Sequence, residues 1–246
     1  MAIGSRIEWT QATWNPVTGC SKVSAGCEHC YAERMARRLQ AMGVAKYARG
    51  FEVVTHDETL DLPLAWRRPH EIFVNSMGDL FHDDVPTEFI LKVFDTMRSA
   101  HHHRFQLLTK RAERFAELDR LLPWAPNIWM GVTVESATYR YRIDCLRQSG
   151  AAVKFLSMEP LLGPVPHLDL AGIQWVIVGG ESGPRARTML PAWATDIRDQ
   201  CVAADVCFYF KQWGGANKKR AGRHLEGRLW SDRPLQPHAQ LALTVS

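Results

Sequence analysis

Residues 104–134 read RFQLLTKRAERFAELDRLLPWAPNIWMGVTV, and their pattern decides the architecture. An apolar, β-rich run at 104–109 gives way to helical spacing over 111–122, then to a second apolar run at 128–134. Near-continuous apolar runs suit strands buried on both faces of a parallel sheet. The same unit recurs on either side. Further runs lie at 71–76, 153–158, 175–180 and 206–211, and helical patterns at 87–100, 136–149 and 191–204. The helix over 87–100 follows Pro86 and puts Phe89, Ile90, Val93, Phe94 and Met97 on one stripe. Strand and helix in alternation predict right-handed βαβ units. The expected fold is therefore α/β, a partial or irregular (β/α) TIM-type barrel with mostly parallel strands. It is partial because residues 160–174 are rich in Pro and Gly and show no helix. Residues 1–210 are assigned to the barrel, and residues 211–246 to a basic C-terminal extension packed on it or trailing from it.

The chain has 246 residues, 46% of them hydrophobic, which fits one globular domain and excludes disorder as the main state. No apolar signal segment opens the sequence, and no run is long enough to cross a bilayer. A soluble, cytoplasmic protein with no membrane partner is expected. Charge is uneven. The net charge is +4, yet residues 211–233 alone carry +5, leaving about −1 for the rest.

Each apolar run ends in polar or glycine residues: Thr18-Gly-Cys20, Asn75-Ser-Met-Gly-Asp79, Thr109-Lys-Arg111, Thr133-Val-Glu135, Ser157-Met-Glu159, Gly179-Gly-Glu-Ser182 and Lys211-Gln-Trp213. Helix capping explains one or two such ends. So many in succession point to a site, because α/β barrels build their active sites at the C-terminal ends of the strands.

Of six cysteines, Cys145, Cys201 and Cys207 are scattered through predicted helix and strand, whereas Cys20, Cys27 and Cys30 crowd into one loop. In a cytosolic protein such a cluster reads as a metal or redox site. A helix is expected from about Cys30, so its dipole favours thiolates at its start. A structural zinc site wants four closed ligands, and His29, between Cys27 and Cys30, is awkward as the fourth. Three cysteines suit an iron–sulfur cluster with one open iron; a zinc knuckle is the alternative.

Three cysteines on the loop after the first strand of a partial barrel resemble the radical S-adenosylmethionine superfamily. The six-residue gap between Cys20 and Cys27 departs from that superfamily's usual three, while the Cys-x-x-Cys half matches. The stretches TWNPVTGCSKVSAGCEHCYAER, VNSMGDLFHDDVP, LLTKR, GVTVE, MEPLLGPV, GGESGPRAR and FYFKQWG look like a phage-associated family of three-cysteine-motif proteins of largely unknown function. The superfamily resemblance implies a 4Fe-4S cluster on Cys20, Cys27 and Cys30, S-adenosylmethionine on the open iron, and an external electron donor. Cluster reduction then releases a 5′-deoxyadenosyl radical that takes a hydrogen from the substrate.

The same resemblance assigns roles to the strand ends. Ser76, Gly78 and Asp79 are to meet the methionine ammonium, and Lys110 or Arg111 its carboxylate. Thr133 and Glu135 are placed for the ribose, Glu159, Gly179 and Glu181 for adenine or substrate, and His29 near the adenine. Two smaller groups are read otherwise: Asp79, His82, Asp83 and Asp84 as a stretch whose acids suit the helix that follows, in preference to a divalent-metal site, and His101-His-His103 as a solvated turn in preference to a ligand set. In the extension, Lys211, Trp213, Lys218, Lys219 and Arg220 combine basic charge with a stacking platform, which suits DNA or RNA. The leading expectation is a radical enzyme that modifies or repairs a nucleic-acid base. A radical enzyme with a small-molecule or peptide substrate, or a non-catalytic zinc- or cluster-stabilised nucleic-acid-binding protein, are the alternatives.

Overall fold

A computed structural model describes residues 2–5 and 7–234; the side chains of Ala2, Ile3, Lys218 and Lys219 lie outside the described set. The part of the extension expected over 235–246 lies outside it as well.

Seven strands build the main sheet: β1 (Ala12–Trp14), β2 (Glu71–Val74), β3 (Arg104–Thr109), β4 (Ile128–Thr133), β5 (Val153–Met158), β6 (Trp175–Gly179) and β7 (Cys207–Gln212). Each is parallel to the next, and Ala2–Ile3 adds an antiparallel edge beside β1. The helices are α1 (Tyr31–Ala41), α2 (Thr87–Ser99), α3 (Ala112–Leu118), α4 (Tyr141–Arg147) and α5 (Pro191–Ala203). Because spatial order follows chain order, every right-handed crossover falls on one face. The sheet therefore curls into a half-barrel with its helices outside. Among the described residues no ladder joins β7 back to β1.

Alternation along the strands separates two cores. One side chain set, including Ile72, Leu107, Met130, Leu156, Val176 and Phe208, packs with Phe94 of α2 and Ile197 of α5. The other set, Phe73, Trp129, Phe155, Trp175, Ile177 and Tyr209, gathers around Trp9. The Trp9 ring lies 4.7 Å from Phe73 and 6.2 Å from Trp175, both edge-on. A plug of this kind replaces the side chains that the missing strands of a closed barrel would contribute. Burying each such side chain stabilises by about 1.5–3 kcal/mol. The two edges of the half-barrel are also tied at this end. Tyr209 Oη donates to the Glu8 carbonyl at 3.2 Å, and Arg233 pairs with Glu71 at 2.7 Å.

The crossover at residues 160–174 has no helix, as its composition predicts. It instead buries Leu161, Val165, Leu170 and Ile173. Two expectations shift. Lys211 and Gln212 are the last residues of β7, and residues 230–232 bond back along that strand, Asp232 N to Phe208 O and Trp230 O to Phe210 N. The described extension thus covers an edge strand that would otherwise expose unpaired donors. His103 is not solvated: it is buried, accepts from His70 N–H at Nδ1 and donates to Pro63 O at Nε2. Burial pulls its pKa below the ordinary value, so the neutral ring serves as a strut.

Candidate functional site

The cysteine loop leaves the sheet through a stalk, Val17–Thr18, paired with Val54–Thr55. Gly78, at the end of β2, lies directly against it. A Cβ there would come within 2.9 Å of Gly19 O and 3.1 Å of Val17 O. The close approach read from Gly78 is therefore made to the stalk. Ser76 Oγ and Met77 N both donate to Asn15 Oδ1, which fixes the turn after β2 beside it.

Cys20, Cys27 and Cys30 are free, half-buried thiols that line one open cavity of about 680 Å³ between their loop, α1 and the turn at residues 49–52. Cys30 caps α1, as the sequence implied. Among the described residues no three His, Cys, Asp or Glu side chains converge tightly enough to hold a metal ion. The thiols differ electrostatically. At Cys20, burial and then the charge of Asp79 push the pKa up to about 12, against the opposing pull of Arg111. At Cys27, burial also opposes ionisation, but the Lys110 charge and hydrogen bonds from Val23 and Ser24 outweigh it and lower the pKa.

Three strand ends reach this loop. From β3, Arg111 places Nη1 3.5 Å from Cys20 Sγ and Nη2 2.7 Å from Ser21 Oγ. His82 joins the same hydroxyl at 2.8 Å; its Nδ1 accepts from Asp84 N–H, so Nε2 carries the proton. From β4, Glu135 is fully buried, accepts from Ser24 Oγ, and pairs with Arg142 Nη1 at 2.9 Å. Gly26 leaves room for this carboxylate, since a Cβ there would lie 2.5 Å from its Oε1. From β6, Glu181 accepts from His29 Nδ1 at 3.0 Å and from Arg187 N, Nε and Nη2 at 2.8, 3.0 and 2.5 Å. Arg187 continues to Ala25 O and Glu28. Burial would raise the Glu181 pKa, but the hydrogen bonds of Arg187 and His29 hold it down to about 2.

Asp79 is buried and already occupied: Phe81 N, Thr109 Oγ1 and Lys110 N all donate to its carboxylate. Thr133 is buried too, with Lys110 Nζ 3.4 Å from its Oγ1. Glu159 forms a two-pronged pair with Lys211 Nζ at 2.8 Å and receives Gln212 Nε2 at 3.2 Å. Gly179 closes β6 against the Glu159 side chain. At the end of β7, Lys211 is neutralised by Glu159, while Trp213, just beyond, donates to His224 O at 2.9 Å and packs edge-on to Phe210. Arg220 is exposed. The structure thus brings His29, Glu135 and Glu181 to the cysteine loop, pairs Glu159 with Lys211, and links that pair through Gln212 to Ser182, the neighbour of Glu181.

Sequence reading missed Ser21, Ser24, Arg142 and Arg187. Arg142 left one trace: it shares a short helix with Ile143 and Leu146, both buried, where a solvated arginine would be out of place. Residues 4–234 match a family described as protein of unknown function (DUF5131), and the chain belongs to that family. No curated protein and no solved structure matches it.

Proposed function

We propose that the chain is a radical S-adenosylmethionine enzyme on a partial TIM-type barrel, with a 4Fe-4S cluster held by Cys20, Cys27 and Cys30. The observation that carries this reading is one arrangement: three thiols line a single cavity, on a loop gripped by the ends of β3, β4 and β6. The donor set fits the group, because a cluster takes each thiolate on a different iron and the three need not converge on one ion. Soft thiolates suit iron–sulfur clusters, three of them leave one iron open, and donors aimed at a ligand sulfur are a known lever on such sites. When bound and reduced by an external electron donor, the cluster supplies the electron that splits S-adenosylmethionine.

This chain's own residues then have distinct tasks. Glu135, Glu181 and Arg187 hold the loop in place. Arg111 is committed to Cys20 and Ser21, which leaves Lys110 as the cation beside Cys27 for the methionine carboxylate. For the substrate we keep a nucleic-acid base, on narrower footing, since Lys211 and Trp213 are engaged within the fold. Exposed arginines, among them Arg34, Arg67, Arg68 and Arg220, are available to a phosphate backbone. No helix among the described residues is long and apolar enough to cross a membrane; a cytoplasmic location and the phage association belong to this proposal. Its test is reductive cleavage: anaerobic, reduced protein is expected to convert S-adenosylmethionine to 5′-deoxyadenosine and methionine. Protein that holds the cluster yet shows no cleavage under strong reduction overturns the enzyme reading.

A further inference from the structure

The grip on Cys20 goes beyond mechanical support. Arg111 is 6% exposed, in a region that the sequence reserves for solvent-facing charge between a strand and a helix. Burying a guanidinium is costly unless its hydrogens are used. Its fork is divided: one nitrogen faces the Cys20 sulfur, the other Ser21 Oγ, and Asp79 stands 3.8 Å away as counter-ion. Nε is buried and makes no hydrogen bond, and a second carboxylate, Asp83, faces it at 3.9 Å. The guanidinium is thus shared among a thiol, a hydroxyl and two carboxylates, and the thiol is the one of these contacts that lies on a proposed cluster ligand. His82 meets the same Ser21 hydroxyl, and burial followed by the Arg111 charge holds that imidazole below its ordinary pKa. A neutral His82 adds no second charge at Ser21; Arg114 is turned to the His82 carbonyl and Asp83, and Arg111 is the cation in contact with the sulfur.

We propose that Arg111 is a positioning residue that sets the reduction potential of the cluster through Cys20. This rests on the cluster reading above. Cluster potentials respond to hydrogen bonds at the ligand sulfurs and to net charge. An N–H donor and a positive charge at Cys20 both favour the extra electron, so Arg111 raises the potential of the one-electron couple. Ser21 with His82 orients the fork, while Asp79, paired with Arg111 at 3.8 Å, opposes its charge at Cys20.

The experiment is an anaerobic redox titration of full-length protein, followed by the electron paramagnetic resonance of the reduced cluster. Wild type, Arg111→Lys and Arg111→Met are compared, with thermal unfolding of each as the check on fold. Arg111→Met is expected to move the midpoint to lower potential, and Arg111→Lys by a smaller amount in the same direction, since one ammonium keeps the charge but cannot bond Cys20 and Ser21 together. If Arg111→Met folds but holds no cluster, the lysine variant decides alone. A wild-type midpoint in the folded variants overturns the assignment and leaves the cluster reading standing. Loss of the cluster from folded Arg111→Lys also overturns it, because the arginine would then serve retention and not potential. Wild-type protein that takes up no iron and sulfide instead sinks the cluster reading itself.

Discussion

Glu181 Oε2 lies 3.0 Å from Nδ1 of His29, so the end of β6 holds the residue between Cys27 and Cys30 across a separation of 152 positions. The same carboxylate takes three donors from Arg187, which also reaches Glu28 and Ala25 O on the cysteine loop. Loop and sheet are thereby joined by one buried acid.

Acid should release that joint. The Glu181 carboxyl is held at about 2 against an ordinary 4.5. A depressed folded-state pKa gives stabilisation that is complete above the ordinary value and is lost as the pH falls toward the folded one. Glu181→Gln is therefore expected to melt below wild type at about pH 6, with the gap closing toward about pH 3. Thermal melts across that range check it; a gap that stays constant with pH would show that the charge contributes nothing.

Glu135 and Arg142 form an ion pair of which neither member meets solvent, at 0% and 1% side-chain exposure. Removing one partner of such a pair costs about 3–5 kcal/mol, because the other charge stays buried and alone. Glu135→Ala should therefore lower stability by about that much, while Glu135→Ala with Arg142→Met should lose less than the sum of the single changes. Urea unfolding of the four proteins measures this coupling. Additive losses would mean that the two residues act separately.

Gly78→Ala is expected to destabilise by about 1–3 kcal/mol, the usual cost of overpacking, since the new methyl presses on backbone oxygens that cannot swing aside. The added methyl would meet Gly19 O at 2.9 Å on the stalk of the cysteine loop. Urea unfolding checks the size of the loss; wild-type stability would show that the stalk and the β2 end separate freely.

Six of the seven strands were legible because each depends on a local pattern; the first was not, since the run ending at Thr18-Gly-Cys20 belongs to the stalk and β1 ends at Trp14. Apolar runs at 104–109 and 153–158 match β3 and β5 residue for residue, and helices at 87–100 and 191–204 were placed to within one residue. That the strands end in polar residues was legible for the same reason. Their division of labour was not. Glu135 and Glu181 look alike in sequence as open acids, and only tertiary contact shows that Ser24, Arg142 and Arg187 occupy them. Trp213 likewise reads as an exposed platform until Phe210 and His224 are seen against it.

That last contact alters what Trp213→Ala should do. Loss of the indole removes its bond to His224 O and its edge contact with Phe210, so thermal stability should fall. Salt-dependent affinity for single-stranded DNA should change little, whereas Arg220→Ala should reduce the slope of log affinity against log salt by about 0.7. Binding isotherms at several salt concentrations separate the two. Weaker binding by Trp213→Ala at wild-type stability would restore the stacking role.

The most direct measurement of the central claim is the iron, sulfide and zinc content of anaerobically prepared protein. About four irons and four sulfides per chain are expected, consistent with one cuboidal cluster. Alanine at Cys20, Cys27 or Cys30 should abolish them, while alanine at Cys145, Cys201 or Cys207 should not. One zinc per chain, with neither iron nor sulfide, would contradict the cluster and with it the radical chemistry.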